Sequence, residues 1–255
     1  MNYPARRSFG LRFWLVTLAA LATIVATGSL GRWQLSRAAQ MRAMQAAIDE
    51  RQAMAPLEGA GLLQAQERGG AQVLHRSVRL RGQWLPEATV FLDNRQMQGR
   101  PGFFVLTPLR LHASQRAVLV QRGWAARDFH ERTRLPDIAT PAGEVLVEGR
   151  LAGPPARLYE FQPSGEGQGS SRIRQNLDLA AYGAETGLDL LPLTVMQTGA
   201  AGDGLRRDWA PVDSGVGKHY GYAFQWFGLC GLVVILYVWF QFVRRLFPPN
   251  RRPRA

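Results

Sequence analysis

Two long apolar runs frame a stretch in which apolar and polar positions alternate. Residues 13–31 contain 19 positions without a charge, and residues 222–243 contain 22. As a helix the second run is about 33 Å long, enough to cross a bilayer. The first run predicts a retained anchor. A cleaved signal peptide ending near Ala26-Thr27-Gly28 is the competing reading. The anchor is favoured because the run exceeds a signal h-region and leads into Arg32-Trp33, a Trp beside an Arg as found at membrane interfaces. Beyond Arg32 the chain is dominated by Ala, Met, Gln and other helix formers as far as Met54. The first helix is therefore expected to continue past the apolar run. Pro56 and the Gly-rich residues 59–70 are expected to end it.

The middle of the chain reads as short strands. Val78 and Leu80 alternate with Arg79 and Arg81, and residues 89–92, 102–109, 117–124 and 144–151 are short Val-, Phe-, Leu- or Trp-rich segments bounded by turn residues. This spacing predicts an antiparallel sheet or small barrel. Residues 163–171 form a Gly/Ser-rich loop. Residues 176–187 predict one helix, capped by Asn176 or Asp178 and stopped by Gly187. Residues 190–198 predict a further strand, placed at a sheet edge because of Pro192. The Gly-rich residues 199–217 connect to His219, and the Pro/Arg-rich tail 248–255 is expected not to fold.

The predicted fold class is a membrane protein with two transmembrane α-helices flanking an α+β extramembrane domain, an antiparallel β-sheet or small barrel with one or two helices. The expected divisions are a basic N-terminus (1–12), a first span (13–31), a domain (32–218), a second span (219–243) and a basic tail (244–255).

Charge changes this picture less than its size suggests. Of the net +12, the tails carry eight arginines and no acid, while the middle balances 23 basic against 19 acidic residues. The basicity thus belongs mainly to membrane-flanking tails, and no nucleic-acid motif accompanies it. Charge alone does not orient the spans, because seven basic residues also lie near them on the loop side. A loop of roughly 190 residues translocates largely regardless of charge, which places both tails in the cytoplasm and the loop outside. With only 12 residues before the first span, a mitochondrial transit peptide does not fit, and a bacterial inner membrane does. The single cysteine, Cys230, excludes an internal disulfide, a c-type haem attachment and an iron–sulfur cluster.

Candidate chemistry centres on His219, at the mouth of the second apolar run. Tyr222, Ala223 and Trp226 follow at helical spacings i+3, i+4 and i+7. Two readings are open: an interfacial residue in an aromatic belt, or an axial ligand to a lipophilic haem. His75, His112 and His130 are scattered and show no zinc spacing. Asp128-Phe129-His130-Glu131 reads as a solvated turn. No nucleophile elbow or phosphate loop occurs, so nothing in the sequence points to an enzyme. Arg95 and Arg122 each follow a strand and are read as making a local salt bridge or turn hydrogen bond, with carboxylate recognition as the alternative.

Several segments, in order, resemble the surfeit-locus cytochrome c oxidase assembly factors. These are Leu30-Gly31-Arg32-Trp33-Gln34-Leu35-Ser36-Arg37, Val78-Arg79-Leu80-Arg81-Gly82, Leu92-Asp93-Asn94-Arg95, Gly102-Phe103-Phe104-Val105-Leu106-Thr107-Pro108-Leu109, Val118-Leu119-Val120-Gln121-Arg122-Gly123-Trp124 and His219-Tyr220-Gly221-Tyr222-Ala223-Phe224-Gln225-Trp226-Phe227. Together with the two spans they cover nearly the whole chain. Arg42 and Gln121 stand where relatives commonly have Lys and Asn.

The resemblance implies an inner-membrane protein with a periplasmic domain. It implies a role in maturing a haem-copper terminal oxidase, around insertion of haem a into subunit I, with a histidine matching His219 as haem ligand in some bacterial members. On that reading Tyr222 and Trp226 line the macrocycle, and Arg32 or Arg37 meets the propionates. Partners are then oxidase subunit I, haem a synthesis enzymes and the lipid membrane, with no nucleic acid; self-association is left open. A scaffold that stabilises assembly intermediates without binding haem is the alternative.

Overall fold

The computed structural model describes residues 10–128, 130–131, 134–159, 171–199, 203–209 and 215–244. The basic lead before residue 10, the Gly/Ser-rich residues 163–170, part of the 199–217 connection and the tail 248–255 lie outside these. The chain divides into two compact units, Met1–Ala46 with Val212–Ala255, and Ala47–Pro211.

The first unit is a helix pair. Helix α1 (Leu11–Ala53) runs past the apolar segment as its composition requires, and α4 (Val216–Val238) carries the second run. Both are long and apolar enough to cross a membrane. A π-helical turn, Trp239–Val243, continues α4 to Arg244. Along the apolar part of α1, Phe13, Thr17, Ala20, Ile24, Thr27, Gly31, Gln34 and Ala38 are buried or half-buried. They alternate three and four residues apart, the period of a helix–helix seam. On α4 His219, Ala223, Trp226, Cys230, Val233 and Tyr237 repeat the pattern. Contacts pair early α1 with late α4, so the helices are antiparallel: the Thr17 and Tyr237 hydroxyls lie 2.9 Å apart, and Cys230 Sγ is 3.7 Å from the Ile24 carbonyl. A Cβ on Gly31 would stand 2.8 Å from the Phe227 ring, so this glycine lets the helices close up. Leu18, Leu21, Phe224 and Ile235 face outward. The small and polar side chains Thr17, Thr27, Gly31, Gln34, His219 and Ala223 lie in the seam while the rim is apolar, as in helix pairs packed in lipid.

The second unit is a β domain. Its elements are α2 (Gly59–Glu67), β1 (Ser77–Trp84), β2 (Val90–Met97), β3 (Arg100–Leu111), β4 (Ala117–Ala126), β5 (Glu144–Ala152), β6 (Ile173–Arg174), α3 (Leu179–Thr186) and β7 (Leu190–Gln197). The strand order β1-β5-β7-β4-β3 closes on itself because β1 also pairs with β3, and β2 and β6 extend the sheet beyond β3. The result is a five-stranded barrel with a two-strand extension. The strict alternation in β1 puts Val78, Leu80 and Trp84 inside and leaves Arg79, Arg81 and Gln83 facing solvent. Val118, Val120, Val147, Leu151, Leu191 and Val195 join them, with Leu62 of α2 packed on the same core. Helix α3 packs Leu179 and Tyr182 on Val90, Leu92, Leu106 and Leu119. Asp178 caps it by accepting from the Ala181 N–H at 3.0 Å, and left-handed Gly187 ends it.

Two spans flanking an α+β domain with a small barrel is the fold class expected. Four details differ. The Gly-rich residues 59–70 do not simply break the chain, because Leu62, Leu63 and Ala65 find the barrel core and hold residues 59–67 helical; only Gly69 and Gly70, at positive φ, make the turn. β7 is not an edge strand but lies between β4 and β5. Its pairing with β5 begins only at Thr194, and its ladder with β4 skips from Leu190 to Thr194, so Pro192 sits in the gap on both sides. The sheet is mixed, since β4–β7 and β2–β6 run parallel. β6, two residues long, is too short to carry an alternation in the sequence.

Candidate functional site

His219 lies in the first turn of α4 and is half-buried in the seam. Its Nδ1 is 2.8 Å from Oε1 of Gln34, itself 9% exposed on α1. An amide oxygen only accepts, so the tautomer that satisfies this contact carries its proton on Nδ1 and its lone pair on Nε2. Nε2 has no hydrogen-bond partner among the described residues. One turn on, Ala223 is almost fully buried, and half-buried Trp226 follows it on the same face.

The other expected site residues lie elsewhere on the pair. Tyr222 is 52% exposed and outside the seam. Arg32 and Arg37 are exposed beside the seam positions Gly31, Gln34 and Ala38, and Arg37 donates to Gln40 Oε1 at 3.1 Å. The structure therefore brings His219 and Trp226 to one face and leaves Tyr222, Arg32 and Arg37 off it. Arg42 does reach that turn of α4, with its guanidinium 5.5 Å from the centre of the Tyr220 ring. Gln34 is the residue that sequence reasoning passed over. Its signal was present: it continues the three–four spacing of Gly31 and Ala38 and is the polar member of that run.

In the barrel, Arg122 is the extra residue of a β-bulge, since Val105 pairs with Gly123 and Leu106 with Gln121. The bulge re-aims its side chain onto the Trp84 ring, 4.8 Å from the ring centre. There it donates to Thr140 Oγ1 at 2.6 Å, the Ala139 carbonyl at 2.7 Å and Asp203 Oδ2 at 3.1 Å. Arg207 also holds Asp203, at 2.6 Å, and donates to the Arg122 carbonyl at 2.7 Å. Burial pushes the Arg122 pKa down, and Asp203 opposes that. Arg95 donates to the Gln175 carbonyl at 2.9 Å, whereas Asp93 is held by Arg127 at 3.0 Å. Both arginines are thus structural, but the partners are far off in sequence rather than local. The turn at Asp128 is solvated as expected: its carboxylate accepts from the His130 and Glu131 N–H groups, which lowers its pKa, and Phe129 lies outside the described residues.

Comparison with known proteins meets this description from outside. The model of the SURF1 family matches residues 21–231, from within α1 to within α4. A SURF1-like protein of Rickettsia prowazekii is 24% identical over 241 residues, covering 88% of each chain. One of Rickettsia felis is 25% identical over 240 residues, covering 87% of this chain and 94% of that protein. With the family pattern spanning both helices and the barrel between them in sequence, the chain belongs to the SURF1 family.

Proposed function

We propose that this protein assists the maturation of a haem-copper terminal oxidase, cytochrome c oxidase, by holding haem a transiently on its way to subunit I. The observation that supports this is the state of His219. The contact with Gln34 Oε1 favours the tautomer with its proton on Nδ1, which would leave Nε2 as the donor an axial ligand needs. The donor chemistry therefore fits a haem iron: neutral imidazole is a usual axial ligand, and the site lies on an apolar helix pair suited to a lipophilic macrocycle. His219 would supply the axial nitrogen and Gln34 would hold its ring. Trp226 would pack beside the ring plane from the same face. Tyr222, Arg32 and Arg37 would take part only by contacting a group that extends beyond that face, the arginines through propionates. The bound haem would supply nothing but itself as cargo; the protein makes no bond in it.

On this proposal residues 13–31 and 219–243 span a bacterial inner membrane, residues 32–218 lie in the periplasm, and the basic termini 1–12 and 244–255 lie in the cytoplasm. The periplasmic domain docks on oxidase subunits or haem a synthesis enzymes. A scaffold role without haem rests on the same His219–Gln34 contact, read as a seam hydrogen bond between two membrane helices.

An absorption spectrum decides between them. The protein is co-expressed with haem a synthesis enzymes and purified in mild detergent beside His219→Ala. Haem a in the wild type that is lost in the variant supports delivery. Haem-free wild type, or equal haem in both, removes His219 as ligand and leaves the scaffold.

A further inference from the structure

Three arginines of the β domain converge on a cavity that the haem reading does not use. Arg51 stands in the last turn of α1, Arg68 directly follows α2, and Arg76 directly precedes β1. All three line one cavity of ≈ 710 Å³, whose wall includes Leu57 and Val73. No carboxylate lines it. Among the described residues, none of the three forms an ion pair, in contrast to Arg79, Arg127 and Arg174, which sit on Glu148, Asp93 and Glu185.

Arg76 is the most committed of the three. It donates to the Ala55 carbonyl at 2.8 Å, while its Nε is buried without an acceptor. A buried cationic N–H left unpaired is costly, so a native structure normally supplies an acceptor from somewhere. The neighbouring His75 registers the local field. Its pKa is lowered first by desolvation and then by the positive charges of Arg150 and Arg51.

We propose that this cavity is a docking pocket for an acidic segment of a partner protein. Charge complementarity selects the carboxylates, which Arg51, Arg68 and Arg76 would take. The cavity is more than an order of magnitude larger than the roughly 30 Å³ of one water, so a single small anion would rattle in it. The apolar wall at Leu57 and Val73 accommodates a side chain beside the acids, as a peptide offers and an inorganic ion does not. This inference stands whether or not His219 binds haem.

The test uses the full-length protein in mild detergent and a fluorescein-labelled synthetic peptide of alternating Glu and Leu, read by fluorescence anisotropy. The acidic peptide binds, its Gln-for-Glu counterpart does not, and binding weakens as salt is raised. Each of Arg51→Gln, Arg68→Gln and Arg76→Gln weakens it about threefold, and the triple variant about thirtyfold. Arg68 is exposed, and the Arg51→Gln, Arg68→Gln double variant leaves the Arg76–Ala55 contact intact, so loss of binding there is not loss of fold. Unchanged affinity in the double and triple variants overturns the proposal. So does displacement of the peptide by inorganic phosphate, or by phosphatidylglycerol added to the micelles, as complete as by unlabelled peptide. Either result would make the pocket a plain anion or lipid site.

Discussion

Gln34 Oε1 and His219 Nδ1 meet at 2.8 Å across the α1–α4 seam, joining residues 185 positions apart. The contact does two things at once. It satisfies two polar groups between apolar helices, and it decides which imidazole nitrogen is free. Gln34→Leu removes the acceptor while keeping an apolar residue of similar length. If His219 holds haem a, its occupancy in the purified protein falls about tenfold, in the range seen when the hydrogen bond behind a metal-bound histidine is lost. Gln34→Glu keeps an acceptor on Nδ1 and retains haem, with the absorption bands shifted by the stronger acceptor behind the ring. Equal occupancy in wild type and Gln34→Leu would make the contact a seam bond only.

Gly82 is where the barrel shuts. In β1 it faces Val145 of β5 on one side and Leu111 of β3 on the other. A Cβ there would lie 2.2 Å from the Arg110 carbonyl oxygen, which is backbone and cannot rotate away. Gly82→Ala must therefore pull β1 from β3 and is expected to cost about 3 kcal/mol. Urea unfolding followed by tryptophan fluorescence measures it, since Trp84 lies two residues on in the same strand. A midpoint within error of wild type would mean that closure tolerates a side chain.

How much of this was readable in advance depends on the range of the interaction. The strands announce themselves through alternation over a few residues, as Val78 and Leu80 do, and α3 through Asp178 and Gly187 at its ends. The length of α1 follows from its composition alone. Features set by distant partners were hidden. Residues 59–67 look like a loop until Leu62 has a barrel to fill. Pro192 argues for an edge until the gaps in two ladders are known. For Arg122, a bulge that one sequence cannot reveal sends the side chain to Thr140 and Asp203, 18 and 81 residues away. His219 was legible as an ionisable group at a helix mouth, and Gln34 as the polar member of a three–four run, but their pairing was not, because a helix–helix seam is recognised only when both helices are seen together.

Arg122 is a buried cation that ties the barrel wall to the segments at Thr140 and Asp203. Its side chain is 2% exposed, and Asp203 beside it is 13% exposed. Arg122→Met leaves Asp203 paired with Arg207 at 2.6 Å, so no carboxylate is orphaned, but the bonds to Thr140 and the Ala139 carbonyl go. The expected loss is about 3 kcal/mol, from two charge-assisted hydrogen bonds of about 1.5 kcal/mol each. Arg122→Lys is expected to recover little of it, because one ammonium cannot span three acceptors while lying flat on the Trp84 ring. Denaturation midpoints of the two variants check this, and a lysine variant as stable as wild type would show that charge alone suffices there.

His75 makes the β domain acid-sensitive. Its pKa in the folded protein lies below the ordinary value of 6.5, through desolvation first and then the charges of Arg150 and Arg51. Between that lowered value and 6.5 the unfolded chain binds a proton that the folded protein does not. The contribution of His75 to stability is therefore flat well above 6.5 and declines as pH falls through 6.5 and on to the folded pKa. Removing the imidazole should remove that part of the decline. His75 has φ 71°, a conformation Asn accepts better than most residues, so His75→Asn is the suitable variant. Unfolding midpoints at about pH 7.5 and about pH 5 should differ more in wild type than in His75→Asn. Because the other histidines and all the carboxylates are common to both proteins, their contributions cancel in that comparison. Identical pH dependence in the two would show that neither burial nor the charges of Arg150 and Arg51 lower the His75 pKa, and a steeper dependence in the variant would reverse the sign of the effect.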